Sequence, residues 1–457
     1  MTSRRLFLGL TAAVLAAGCA TRAPVDSSEP IVFVHGNGDS ASIWQTTIWR
    51  FESNGWPRDR LHAIDMPYPL ARTIDAKPEP GRSSAAQHMA YLKSEVDKVL
   101  KNTGARQVIL IGNSRGANAI RNYLQNGGGE TKVSHAILSG GTNHGVQAVP
   151  GLNEGNEFSG TGPFLTSLNK PKNAAGDEVT GPVKWLTIRS ENNDKFAQPE
   201  GRWIGMPGKP TNLTYSAPEL RGATNVVIPR IDHRETAFSP AAFEAMYRFI
   251  TGHAPETTAV RPEQPVILSG KLSGLGVSST DPASGNFANN LPLPGAHLQI
   301  FATDAASGER RGAAAYDKMV GSDGLWGPFT ANPQTQYEFV VSAPGYATTH
   351  IYRSPFPRSS SVINMRPERI ADADKAAAAI VIMTRPRGYF DPARDKMSFD
   401  GQSPPPGALP GAGVASSKIK PASAASRSVV AQFNGERIAG RAWPAANNEV
   451  AVLELTY

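Results

Sequence analysis

A single cysteine, Cys19, stands in 457 residues, so the chain has no disulfide framework and no thiolate set for a structural zinc. Long apolar runs are also missing. The run from Leu6 to Gly18 falls short of the roughly 20 residues that a membrane-spanning helix requires, and no comparable segment follows it. Charge is plentiful but unpatterned: 46 Lys and Arg against 39 Asp and Glu give +7, with no basic run of the kind that tracks a phosphate backbone. No nucleic-acid partner is therefore expected. Neither a His/Cys cluster at zinc spacing nor a phosphate-cradling glycine loop occurs, so neither a metal nor an organic cofactor is expected.

What is present begins at the N-terminus. Arg4 and Arg5 precede the short apolar run, as in an export signal, and Ser3 to Leu8 resembles a twin-arginine consensus. Leu15-Ala16-Ala17-Gly18-Cys19 resembles a lipobox, which would make Cys19 the lipidated first residue of the mature chain. The expectation is a signal peptide over residues 1–18, a linker over 19–29 and a membrane partner reached through a lipid anchor. Ala20 after the cysteine favours the outer membrane, so the location expected is periplasmic or cell-surface.

From residue 30 to 258, short apolar runs at 30–34, 60–66, 106–111, 133–139, 183–188 and 224–229 alternate with longer amphipathic ones. A helix is clearest over 84–101, where Met89, Leu92, Val96, Val99 and Leu100 fall on one face. Strands separated by helices predict a mostly parallel α/β sheet flanked by helices. After a short linker, residues 265–457 change character to alternating strands punctuated by Gly, Pro and Asn, a β-rich region expected to serve substrate binding more than chemistry. Within it the low-complexity segment 402–428 reads as a flexible loop or linker.

The motif that carries chemistry is "IGNSRGAN", which sets Ser114 between Gly112 and Gly116. A G-x-S-x-G match alone is weak in a chain with 44 glycines; its context, a strand before and a helix after, is what a strained nucleophile turn needs. An oxyanion hole needs two backbone N–H groups, and Arg115 after the serine and Asn37 after the strand "IVFVHG" are positioned to supply them. A serine needs a histidine to take its proton and a carboxylate to orient that histidine. Of nine histidines, His233 follows the last predicted strand and precedes the last helix; His144 is the competitor. Asp194, behind the strand "VKWLTI", is the chosen acid and Glu191 the alternative, while Asp232 reads as a surface residue.

With these residues the chain resembles lipases and esterases of the α/β-hydrolase superfamily. The segment "RGATNVVIPRIDHRETAFSPAAFEAMYRFITGHAPETTAVRPEQP" is similar to archaeal long-chain lipases that join such a domain to a β-rich C-terminal lipase domain. That resemblance implies an acid after the strand "HAILSGG", where this chain has Ser139, Gly140 and Gly141, and so moves the acid to Asp194. Residues 142–180 form a long insertion, either a cap over the site or a surface loop, with Phe164, Leu165 and Leu168 as its compact apolar cluster. The expected activity is that of an exported, membrane-anchored serine carboxylester hydrolase acting on acyl esters or lipids. The alternatives are an aliphatic polyester depolymerase and a non-catalytic envelope binding protein.

Overall fold

The structure is a computed structural model that describes residues 29–179, 181–191, 193–200, 209–410 and 413–457. The signal segment and Cys19 lie outside the described residues. Ile31–Val34 (β1) is apolar throughout because it is covered on both faces: Val32 and Val34 join the core beneath the helices of one side, Ile31 and Phe33 that of the other. Around it lie Leu61–Ile64 (β2), Val108–Asn113 (β3), Val133–Ser139 (β4), Lys184–Glu191 (β5) and Thr224–Pro229 (β6). All pair in parallel, in the order β2-β1-β3-β4-β5-β6. The helices are Gln45–Ser53 (α1), Ala85–Thr103 (α2), Arg115–Asn126 (α3), Pro163–Leu168 (α4), Glu235–Phe238 (α5) and Pro240–Thr251 (α6). Helix α2 starts where its capping box is written, the Ser84 hydroxyl accepting from the Gln87 N–H, and stops at Gly104 with φ +68°.

Among the described residues the β-rich region holds two large apolar cores, one around Val266, Trp326 and Phe339 and one around Val381, Phe433 and Leu453, and a small one around Ala347, Ile380 and Val450. Its largest sheet has seven strands, and the last strand of the chain, Glu449–Glu454, lies between Thr348–Arg353 and Val381–Thr384, parallel to both. The low-complexity segment is more than a linker. Ser416–Ile419 pairs with Val381–Thr384 at the edge of that sheet and Ala408 is buried, because backbone pairing is indifferent to how simple the side chains are.

The β region is also not held by its linker alone. Trp49 of α1 belongs to the first β core and donates its indole N–H to the Ser359 carbonyl at 2.8 Å. Asp65 takes Asn364 at 2.8 Å and Lys271 at 3.1 Å, and Arg358 donates to Glu52 of α1 at 3.0 Å. Among the described residues no helix is long and apolar enough to cross a membrane.

Two outcomes follow from this packing. A Cβ on Gly116 would lie 2.4 Å from the Val34 carbonyl oxygen and 2.8 Å from that of His35, so Gly116→Ala forces α3 off β1. A loss of at least about 3 kcal/mol is expected in urea denaturation, the upper end for overpacking or beyond. A chain ended after residue 258 uncovers Trp49 and should be recovered insoluble; a soluble, monodisperse product in size-exclusion chromatography would contradict this.

Candidate active site

Ser114 sits between β3 and α3 with φ +54° and ψ −117°, a backbone conformation that a residue with a Cβ rarely adopts. The surroundings enforce it. A Cβ on Gly112 would come within 2.7 Å of Gly116, and the Gly116 contact with β1 closes the other side of the turn. The Ser114 N–H is tied to the Ser139 carbonyl at 3.0 Å, so the turn is held by β4 as well.

Ser114 lines a cavity of about 310 Å³ together with Asn37 and His233. Leu70, Val146, Phe158, Phe196 and Tyr389 supply most of its apolar wall. His233 follows β6 and is buried; its Nδ1 lies 2.9 Å from Oδ2 of Asp194, itself 1% exposed. The other carboxylate oxygen of Asp194 accepts the Phe196 N–H at 2.9 Å, while the Asp194 N–H donates to Gln198. The Phe196 ring packs on the imidazole with centroids 4.7 Å apart. The structure thus brings Asp194 to His233. Glu191 ends β5 with an exposed side chain.

Arg115 is the first residue of α3, so its N–H has no intrahelical acceptor and the positive end of the helix dipole lies beside Ser114. Its side chain turns away and is fully buried, paired with Glu157 at 2.7 and 2.8 Å and donating to Ser83 and the Pro69 carbonyl. Asn37 is pinned by its side-chain oxygen, which accepts the Ala71 N–H at 2.7 Å, and Gly38 next to it donates to Pro69. His144 lies elsewhere. Its ring bonds the Ala217 carbonyl and Glu178, fastening the insertion to the loop before β6.

Several residues of the site carry no motif. Asn113 uses one amide group to reach the carbonyls of Ser139 and His233 and the Thr236 hydroxyl, at 3.1, 3.2 and 3.1 Å, which holds the histidine loop against β3. Phe158 and Val146 come from the insertion, which is ordered over its described part: Leu165 and Leu168 are buried and Glu157 anchors it through Arg115. Tyr389 comes from the β region. Asp232 is not a surface residue. It is 3% exposed because Arg385 of the β region, 3.0 Å away, compensates its charge. Among the described residues no group of three or more His, Cys, Asp or Glu is arranged to hold a metal ion.

Residues 28–180 match the family model of the class 2 lipases, and residues 264–370 match that of the lipase C-terminal domain. Together the two matches span more than half of the chain. Similar solved structures include the mature Bacillus licheniformis lipase BlEst2, at 20% identity over 50% of this chain and 95% of that one, with a TM-score of 0.37. The Paleococcus ferrophilus monoacylglycerol lipase has 13% identity over 50% and 97%, with a TM-score of 0.33. The Bacillus subtilis carboxylesterase CesB has 13% identity over 50% and 85%, with a TM-score of 0.28. On its two matched domains and its parallel sheet, the chain belongs to the lipases of the α/β-hydrolase superfamily, with a β-rich lipase domain behind the hydrolase.

Proposed function

We propose that the protein is an exported, lipid-anchored serine carboxylester hydrolase that cleaves acyl esters with Ser114, His233 and Asp194. The observation that carries the reading is that the buried Asp194–His233 pair faces the same cavity as a serine held in a strained turn. In this reaction Ser114 Oγ attacks the ester carbonyl carbon while His233 Nε2 takes the hydroxyl proton, and Asp194 fixes the tautomer that leaves Nε2 free. The developing oxyanion is met by the N–H groups of Asn37 and Arg115, each such donor being worth about 10²- to 10³-fold in rate. His233 then protonates the departing alcohol. Water, deprotonated by the same histidine, releases the acid and restores the serine. The acyl chain occupies the wall formed by Leu70, Val146, Phe158 and Phe196.

Ser114→Ala is expected to keep the fold and bring p-nitrophenyl ester hydrolysis below about a hundredth of the wild-type kcat. Asp194→Asn should lower kcat by about 10⁴-fold through the wrong histidine tautomer, and Glu191→Gln by less than about twofold. The reverse ranking would move the acid to Glu191. Labelling of wild-type Ser114 by a fluorophosphonate probe separates catalysis from mere binding.

For the anchor, Cys19→Ser is expected to shift the protein from the detergent-rich to the aqueous phase on Triton X-114 partition. Mass spectrometry of the mature wild-type chain should find a diacylated Cys19 at its start, and an unmodified N-terminus elsewhere would contradict the lipid anchor.

A further inference from the structure

The loop that carries His233 has little structure of its own. Residues 230–234 join β6 to α5, which is a single turn, and two carboxylates, Asp232 in the loop and Glu235 at the start of α5, are largely withdrawn from water. Within the loop, Asp232 Oδ1 accepts the N–H groups of Arg234 and Glu235 at 2.8 and 2.9 Å, and Glu235 Oε2 accepts the Asp232 N–H at 2.6 Å. These bonds shape the turn. They do not fix where it sits.

Part of that anchorage comes from the hydrolase itself, through Asn113 on the His233 carbonyl and Asp39 on Arg234; the grip on the two carboxylates comes from the β region. Arg385 donates from one guanidinium nitrogen to Asp232 Oδ2 at 3.0 Å and from the other to Glu235 Oε1 at 2.6 Å. Its remaining donors go to the carbonyls of Tyr457 at 3.0 Å and Tyr389 at 2.7 Å, and its plane lies 4.4 Å from the Phe433 ring centroid. The Tyr389 N–H adds a second bond to Asp232 Oδ2 at 2.8 Å, and Arg394 adds a third contact through Glu235 Oε2 at 2.5 Å. On the other side of the histidine, Arg234 donates to the Pro386 carbonyl at 3.2 Å and lies 5.0 Å from the Tyr389 ring. The Tyr389 ring then leans on Phe196, centroids 5.6 Å apart, and Phe196 on the imidazole. Both sequence neighbours of His233 therefore contact one segment, 385–394, which lies beyond both matched family domains, Arg234 being paired as well with Asp39 of the hydrolase at 2.5 Å.

We propose that Arg385 is a positioning residue for His233: its planar fork, seated in the C-terminal β region, grips Asp232 and Glu235 together and sets the histidine loop in register with Ser114. This rests on the reading of His233 as the base of a serine hydrolase. A fork is required because two carboxylates are gripped at once; an ammonium at the same place is a point charge that can satisfy one geometry but not both. A catalytic histidine displaced by about 1 Å loses on the order of 10²-fold in rate even when the displacing change lies away from the chemistry. Burial and the neighbouring Asp232 push the Glu235 carboxyl above its usual range in spite of the two arginines.

The test uses the full-length protein. Arg385→Lys keeps a positive charge in the site and should keep the fold, with kcat for p-nitrophenyl butyrate lowered about 10- to 100-fold, KM within about threefold and fluorophosphonate labelling of Ser114 slowed in parallel. Asp232→Asn, which retains the acceptor for the loop N–H groups, should lower kcat about tenfold and add little to Arg385→Lys in the double variant, because both break one linkage. Arg427→Lys, in an exposed pair with Asp400, serves as the control without effect. A folded Arg385→Lys with wild-type kcat, or with only a lowered melting temperature, overturns the proposal. Should Arg385→Lys not fold, a wild-type kcat in Asp232→Asn overturns it equally. If Ser114→Ala itself remains active, the hydrolase reading fails, an outcome separate from any of these.

Discussion

Everything at the centre of the molecule depends on how closely α3 approaches β1. The start of the helix presses its backbone against the carbonyls of Val34 and His35, an approach that only the bare Cα of Gly116 permits. Three things follow from that one contact. Ser114, two residues earlier, is driven to φ +54° and out of the line of both the strand and the helix. The N–H of Arg115 at the head of α3, which has no intrahelical acceptor, follows directly on Ser114, and Asn37 lines the same cavity as that serine. The strain of a non-glycine residue at positive φ, about 1–3 kcal/mol, is sustained by the packing of β3, β4 and α3 on either side.

Around this rigid centre the variable parts of the site are held by buried charge. The insertion after β4 carries Glu157 to the Arg115 guanidinium, and with it Phe158 and Val146 to the cavity wall. The histidine loop is held by the acids at 232 and 235 against Arg385 and Arg394. Buried ion pairs contribute little net stability against a hydrophobic replacement, since desolvation offsets the attraction, but a half-removed pair leaves a charge that nothing else accommodates. Such pairs therefore specify one arrangement more than they strengthen it. That is what keeping His233 against Asp194 requires.

The β region is accordingly part of the enzyme's body. It completes a core with Trp49 of α1 and lends Tyr389 to the cavity. The last strand of the chain closes its large sheet, so the C-terminus helps seat the arginine that reaches the active-site loop.

The sequence by itself determined the α/β sheet, the strand-turn-helix at Ser114, the α2 capping box and the β-rich second half, because each is written in local periodicity or in a few neighbouring residues. It also put His233 and Asp194 forward, since each follows a strand whose end could be read. Only the tertiary structure decided that Asp194 and not Glu191 meets the histidine: the two lie three positions apart, and which one turns inward depends on the path of the chain after β5. The same holds for Asp232, which looks like a surface acid until Arg385 arrives from more than 150 positions away, and for segment 402–428, whose simple composition hides a strand that needs Val381–Thr384 as its partner. Burial and pairing are made by distant segments, and no local pattern encodes them.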